Sequence, residues 1–439
     1  MLTTLLISGS EFIVEDLNST KKDAQWIALP YVFSSESTGL TTGVVGIWSG
    51  FFQPQMSIVA TVFGGEELEV HKFELGSDIT KQKARTQGGV LGISGYKPPF
   101  SKRIFITALG SYAYYPNQRI YLNGSHNSKQ NLKPKETFSL SPLQTQGYNN
   151  WAKVDFRYVL PIGNSLGDEI REVLPVIKLK RGIAVNRSNQ GNGIPFMSGQ
   201  TIAGSEFFYT KWSLDKFIKK PNLATNGLRV YVEHDNTDYA DNPSRGYNFK
   251  LQYSQDFGFG ESTQSWNSIE ANYSHYFELD NFSWTRQNVV AFTTWSAYSP
   301  SWQKGKKLNP NSSNGILDLH QPPMWEGARL GGWNRMRAYD SNRFSDKAAF
   351  YVATEYRIIP QLNPMRDQKW NPIAIDWFQA VLFAEAGRVH GSYNQTLLHD
   401  LKYDVGFSLR ALAAKVPVRF EMAFGEEGSS MWVMIKQPF

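Results

Sequence analysis

Few side chains in this sequence have the type and spacing for chemistry, and none of them suits a covalent reaction. The 439 residues include no cysteine, which removes disulfides, thiolate nucleophiles and Cys-ligated metals together. The seven histidines form no HExxH or other close ligand spacing, so neither a metal site nor a cofactor is expected. "GISGY" (Gly92–Tyr96) lacks the spacing of a nucleophile elbow. His234, His275, His320 and His390 fall into no Ser/His or Asp/His motif, and the chain is not expected to be an enzyme. What remains is ionic chemistry. "LGGWNRMRAYDSNRF" (Leu330–Phe344) packs two glycines, three aromatics and, counting Arg329 just before it, four arginines into a segment without helical or strand period. A guanidinium is a flat fork of donors that suits carboxylates. Which carboxylates it meets depends on the elements around it.

Those elements have period two. "YNFKLQYSQ" sets Tyr247, Phe249, Leu251 and Tyr253 against Asn248, Lys250, Gln252 and Ser254. "YDVGFSLR" sets Tyr403, Val405, Phe407 and Leu409 against Asp404, Gly406, Ser408 and Arg410. "VRFEMAF" and "SIEANYSHYF" alternate in the same way. Strict alternation means strands with one apolar and one polar face. Aromatics reach 14%, and no apolar run is long enough for a transmembrane helix. No Pro/Ser/Gly-rich linker divides the chain, as several soluble sandwiches would require. The pattern fits an all-β transmembrane antiparallel β-barrel, apolar side to lipid and polar side to a wet lumen.

Counting from the C-terminus gives strands near 430–439, 417–426, 403–413, 380–390, 349–359, 284–297, 266–279, 246–257, 227–237, 205–214, 174–185, 151–160, 103–114, 90–96, 55–64 and 40–49. The total is about sixteen, and single-chain barrels prefer even numbers. The division expected is a short N-terminal periplasmic segment, 1–35, and an outer-membrane barrel, 36–439, whose long outer loop at 298–348 holds the arginine-rich stretch. The short turns "DYADNPSRG" and "ELDN" then fall on the periplasmic side.

Four stretches in order carry a family resemblance. Gly331-Gly332 precede Met336-Arg337-Ala338-Tyr339 in the loop. Glu355-Tyr356-Arg357 lies on the following strand, and Phe383-Ala384-Glu385-Ala386-Gly387-Arg388-Val389 on the next. "EHDNTDYADNPSRG" (Glu233–Gly246) makes an acidic turn upstream. Over about 225–439 the chain resembles the barrel of the BamA/TamA family, the bacterial surface antigens. That family shows V-R-G-[F/Y] in its sixth outer loop, E-[YLF]-R and F-x-D-x-G-x-V on the next two strands, and D-x-x-D…P-x-x-G before the ninth. Ala338 stands where the family has Gly, which would strain a positive φ, and Glu385 where it has Asp.

The resemblance implies a loop folded back into the lumen and a role in inserting or translocating polypeptides. A loop of about 50 residues outside a wide barrel costs entropy unless held. Folded inward, Arg337 could meet Glu355 and Glu385, which point inward on adjacent strands. Arg337, Tyr339, Gly331, Gly332, Glu355, Glu385 and Gly387 form the expected lock between loop and wall. A second expectation concerns the seam between first and last strands. The glycines of "GLTTGVVGIWSG", Gly39, Gly43 and Gly46 among them, would weaken the first strand, and Pro438 removes a donor near the end of the last. "MWVMIKQPF" places Met431, Val433, Ile435 and Phe439 on one face. Its terminal aromatic resembles the signal read by the outer-membrane assembly machinery.

A signal peptide is not evident in "MLTTLLISGSEF", and no POTRA pattern fits ahead of the first strand, so a barrel-only member is expected. Its partners would be the outer membrane with its lipopolysaccharide, a separate periplasmic or lipoprotein partner, and client polypeptides. The 45 Lys+Arg and 39 Asp+Glu are scattered, without the basic patch nucleic acid requires. The competing expectation is a plugged pore for small solutes. A plugged translocase should conduct poorly, and more when Arg337→Ala frees the loop.

Overall fold

The computed structural model of the 439-residue chain describes every residue except 1–11, 18–24, 36–37, 73–79, 122–142, 187–195, 215–221, 304–318, 366–374 and 414–415. Period-two segments rich in β-branched and aromatic residues build one sheet of sixteen strands. These are β1 (Gln25–Ser35), β2 (Gly39–Ser49), β3 (Ser57–Lys72), β4 (Thr80–Tyr96), β5 (Ile104–Ile120), β6 (Leu143–Val159), β7 (Gln200–Leu214) and β8 (Asn222–Asp235). They continue with β9 (Gly246–Asp256), β10 (Trp266–Leu279), β11 (Thr285–Tyr298), β12 (Ala348–Pro360), β13 (Ile375–His390), β14 (Lys402–Ala413), β15 (Val416–Gly425) and β16 (Gly428–Ile435). Each pairs antiparallel with the next. The sheet curls until β1 and β16 lie side by side, although among the described residues no ladder joins them. β1 carries Pro30 in mid-strand, opposite Val44; a proline belongs on such an edge strand because it donates nothing to a ladder.

The alternation decides which face meets which medium. Leu251, Tyr253, Ile269, Tyr273, Phe277, Leu382, Tyr403, Val405 and Leu409 are exposed on the outer face. Ser254, Ser268, Ser274, Arg357, Asp404, Ser408 and Arg410 are buried on the inner one. The architecture is a transmembrane antiparallel β-barrel whose apolar rows face outward and whose polar rows are covered from inside.

With an even strand count, β1 begins and β16 ends at the same mouth, the near mouth. Connections after even-numbered strands also lie there, among them residues 160–199 between β6 and β7. That connection holds a helical turn, Ile170–Val173, and a small sheet of Val176–Lys180, Ile183–Ala184 and the N-terminal Ile13–Asp16, which pairs parallel with Val176–Leu179. Residues 299–347, between β11 and β12, leave from the far mouth. Their described part folds into the lumen, where Leu330, Met336, Ala338, Tyr339 and Phe344 share one cluster with Trp295, Tyr351, Phe383 and Val389 of the wall. Each large apolar side chain buried there contributes about 1.5–3 kcal/mol.

Four sequence expectations need correction. The barrel starts at Gln25, not at residue 36, so "GLTTGVVGIWSG" is the second strand. Gly39, Gly43 and Gly46 lie on β2, laddered to both β1 and β3, and do not form the seam. Gly43 instead gives room to the Tyr31 ring, which a Cβ would approach to 2.5 Å. Residues 174–185 are no barrel strand but the small sheet at the near mouth. That error and the missed β1 cancel, which is why sixteen still resulted. Last, Ile435 ends β16, and Lys436 turns the chain with φ 63°. Phe439 therefore leaves the lipid face, and packs inside against Tyr276, Val289 and Ala291. Pro438 lies beyond the ladder. Part of the polar segment 115–150 belongs to β5 and β6, and the rest lies outside the described residues.

Candidate functional site in the barrel lumen

The site is assembled by inward positions of four neighbouring strands. β12 turns Ala353, Glu355 and Arg357 to the lumen, and β13 turns Phe383, Glu385 and Gly387. β14 adds Asp404, Ser408 and Arg410, and β15 adds Arg419 and Glu421. Into this wall the loop places Arg337. Its guanidinium has no exposed surface. Nε donates to Glu385 Oε1 at 3.0 Å, and Nη1 donates to Glu355 Oε1 and Glu421 Oε1, both at 2.9 Å. The Arg337 backbone N–H donates to Glu385 Oε2 at 2.6 Å. One arginine thus takes carboxylates from three strands, while its plane lies 3.5 Å from the Phe383 ring centre. Burial alone would lower its pKa, but Glu385, Glu421 and Glu355 together hold it well above the ordinary value. The charge is permanent.

The neighbouring loop backbone is held as closely. Ala338 N–H donates to Asp404 Oδ2 at 3.1 Å, Trp432 Nε1–H donates to Arg337 O at 2.8 Å, and Ser430 Oγ donates to Ala338 O at 3.2 Å. The Tyr339 hydroxyl donates to Tyr403 O at 3.1 Å. Tyr351 donates to Glu385 Oε1 at 2.6 Å, which fixes that carboxylate from the wall side.

Glu355 is the hub. Besides Arg337 it accepts from Arg357 Nε at 2.8 Å, and from Arg410 Nη1 and Nη2 at 2.9 and 2.8 Å. The same two arginines hold the residues after β16. Arg357 Nη2 donates to Phe439 O at 3.1 Å, and Arg410 donates to Gln437 Oε1. Loop and tail therefore meet through one carboxylate. Arg419 completes the cluster, donating to Glu421 and, at 3.2 Å, to Trp333 O.

The expected lock residues Arg337, Tyr339, Glu355 and Glu385 are brought together; Gly331 and Gly387 lie at close approaches, while Gly332 has ordinary space and is set apart by its positive φ. Gly331 and Gly332 adopt φ 104° and 114°, and a Cβ on Gly331 would stand 2.3 Å from Asp340 O. The strain expected at Ala338 is absent, because the left-handed residue is Met336, φ 56°. Gly387 lies under the loop, where a Cβ would reach Leu330 Cδ1 at 2.8 Å and Phe350 O at 3.0 Å. Gly387→Ala should weaken loop docking by about 1–3 kcal/mol through overpacking, read as faster amide exchange in 330–339 with β2–β6 unchanged.

Glu421, Asp404, Arg410, Arg419, Tyr351 and Trp432 did not emerge from the family-like motifs. The alternation already placed Asp404, Arg410, Arg419 and Glu421 on the polar rows, so a tally of inward charges would have found them. The loop is also tied beyond this cluster. Trp325 stacks on Trp212 with ring centres 4.5 Å apart. Glu326 accepts from Arg229 at 2.6 Å, Asp340 accepts from Arg119 at 2.8 Å, and Arg343 donates to Glu427 at 2.7 and 2.8 Å. Arg335 lies 3.8 Å over Trp295. Among the described residues, no group of three His, Cys, Asp or Glu could hold a metal.

These features define a class: a lipid-facing barrel of sixteen strands, with a seam that no ladder closes among the described residues and a loop bound inside by a buried arginine. Residues 186–429, more than half of the chain, match the Omp85 superfamily domain. The chain belongs to the Omp85 superfamily, with a barrel of the BamA/TamA type. No curated protein matches it in sequence. Among solved structures, CdiB from Escherichia coli is similar with a TM-score of 0.54 at 9% identity, over 93% of this chain and 61% of that one. CdiB from Acinetobacter baumannii gives 0.49 at 11%, over 93% and 59%. BamA from Haemophilus ducreyi lacking POTRA domains 1–3 gives 0.47 at 10%, over 96% and 74%. The chain thus spans about three-fifths of either CdiB chain, and the likeness to E. coli CdiB is one of fold.

Proposed function

We propose that this chain is an integral barrel of the bacterial outer membrane that takes part in inserting or translocating polypeptides, with a separate periplasmic or lipoprotein partner delivering the client. Family membership supports the general role. The observation that carries the reading is Arg337, without exposed surface and bound to three carboxylates from three strands. A passive solute pore gains nothing from a lumen filled by a loop so bound. A translocating barrel needs a plug held firmly at rest and released by a client or partner, and buried ion pairs suit such a two-state contact. In this reading Arg337, Tyr339, Gly331, Gly332, Glu355, Glu385 and Gly387 form the lock, and the seam between β1 and β16 is the lateral exit. Depleting the protein from its native cells tests this. A shift in the outer-membrane protein profile, restored by the wild-type chain but not by Arg337→Ala, is expected. An intact profile with reduced uptake of small solutes would replace this reading with the plugged pore.

A further inference from the structure

The connection between β6 and β7 crosses the near mouth from wall to wall. Its stem packs on one side, where Val173 and Leu174 are buried with Phe105, Val159 and Ile202 of β5, β6 and β7. Its middle, Ile177 and Leu179, packs with Tyr239 of the β8–β9 turn. Its tip reaches the other side. Trp377 Nε1–H donates to Gly182 O at 2.9 Å, and Arg286 Nη2 donates to Arg181 O at 3.1 Å. Ile183 packs against Ile359, Trp377 and Leu412, at the near ends of β12, β13 and β14. In the strand order, β6 and β13 are seven positions apart in a ring of sixteen, one short of diametrically opposite. Arg181 and Gly182 turn with φ 53° and 72°. A Cβ on Gly182 would stand 2.6 Å from Leu412 Cδ2 and 2.7 Å from Asp376 Cβ, so the tip fits its wall without slack.

We infer that the hairpin Val176–Ala184 is a strap that bars the near mouth, a second closure in series with the Arg337 loop. Its anchors share no residue with those of the loop. It also has a handle. Ile13–Asp16 pairs parallel with the hairpin, Phe12 meets the Tyr239 ring edge-on at 5.7 Å, and Arg171 donates to Glu15 at 2.7 Å. Whatever moves Phe12–Asp16 pulls on the strap, so the segment ahead of β1 controls the near mouth. This inference stands apart from the polypeptide reading, because it concerns the number of barriers and not the cargo.

Two barriers in series predict a non-additive result. Gly182→Val puts a branched side chain where the wall leaves no room and leaves every barrel strand intact. In planar bilayers, Arg337→Ala and Gly182→Val should each conduct within about twofold of wild type, and the double variant at least about tenfold more, since a constriction left at either mouth limits the whole path. Freeing the loop alone thus leaves the mouth barred, and the rise in conductance expected from the sequence for Arg337→Ala by itself is replaced by one that needs both changes. Arg337→Ala conducting as much as the double variant would overturn the strap. If the double variant does not refold, Gly182→Cys with Asp376→Cys in the Arg337→Ala background replaces it. The chain has no other cysteine. The oxidised pair should conduct like wild type and rise on reduction; conductance indifferent to reductant would overturn the inference.

Discussion

Glu355→Gln should release two parts of the chain at once. Glutamine keeps the shape but removes the charge that answers Arg337, Arg357 and Arg410. Uncompensated buried charge costs about 3–5 kcal/mol when one partner of a buried pair is removed. Local opening should then rise between about a hundredfold and a few thousandfold. The opening should show in amide exchange at 333–343, held through Arg337, and at Gln437 and Phe439, held through Arg410 and Arg357. Glu385→Gln is the control. Glu385 binds Arg337 and Tyr351 but none of the tail residues, so it should loosen the loop and leave the tail protected. A Glu355→Gln protein whose tail exchanges like wild type would show that loop and tail are not coupled through this carboxylate.

Arg337→Ala has the second largest expected effect. It strands three carboxylates, while Arg357, Arg410 and Arg419 go on compensating two of them. Glu385 has no other arginine in contact among the described residues and carries most of the cost, again about 3–5 kcal/mol. Limited trypsin digestion reads this directly, because Arg335 and Arg343 become cleavable only when the loop leaves the lumen. Cleavage within 329–343 should accelerate at least about a hundredfold relative to wild type. Arg337→Lys should fall between the two, since an ammonium cannot reproduce the planar fork that serves Glu385 and the Glu355/Glu421 pair at once. Equal protease resistance in all three proteins would mean that the apolar contacts of Met336, Tyr339 and Phe344 alone hold the loop.

The sequence was most legible where one face met lipid and the other a charged lumen. β9, β14 and β15 show unbroken alternation and β10 breaks it only at His275, so their faces followed directly, and the inward Asp404, Arg410, Arg419 and Glu421 with them; Glu355 and Glu385 were phased on β12 and β13 by their own neighbours, Ala353 with Arg357 and Phe383. β1 was not legible. "QWIALPYVFSS" is apolar at most positions and holds Pro30, which argues against a central strand, and only the seam makes sense of it. "VIKLKRGIAV" deceived for the opposite reason. A half-buried hairpin at the mouth has the same period as a spanning strand, and nothing in the residues tells the two apart. The tail misled because Ile435 and Phe439 agree in phase. The turn at Lys436 brings Phe439 to a lumen partner, Arg357, 82 residues upstream. The lock was readable in type but not in number. Two of its three carboxylates lie in motif-like settings, whereas Glu421 is one more polar position on an alternating strand.

One covalent probe bears most directly on the central claim that the loop lies inside the barrel with its arginine against the far wall. A Cβ on Gly425, at the end of β15, would stand 3.0 Å from the Ala338 Cβ, so a shift of about 0.5–1 Å brings the pair to the separation of roughly 3.5–4.5 Å that a disulfide spans. In a chain without cysteine, Ala338→Cys with Gly425→Cys should close to a disulfide in the membranes of intact cells, detected by its gel shift without reductant. Both thiols remaining free and open to a membrane-impermeant maleimide would place the loop outside the lumen and contradict the account.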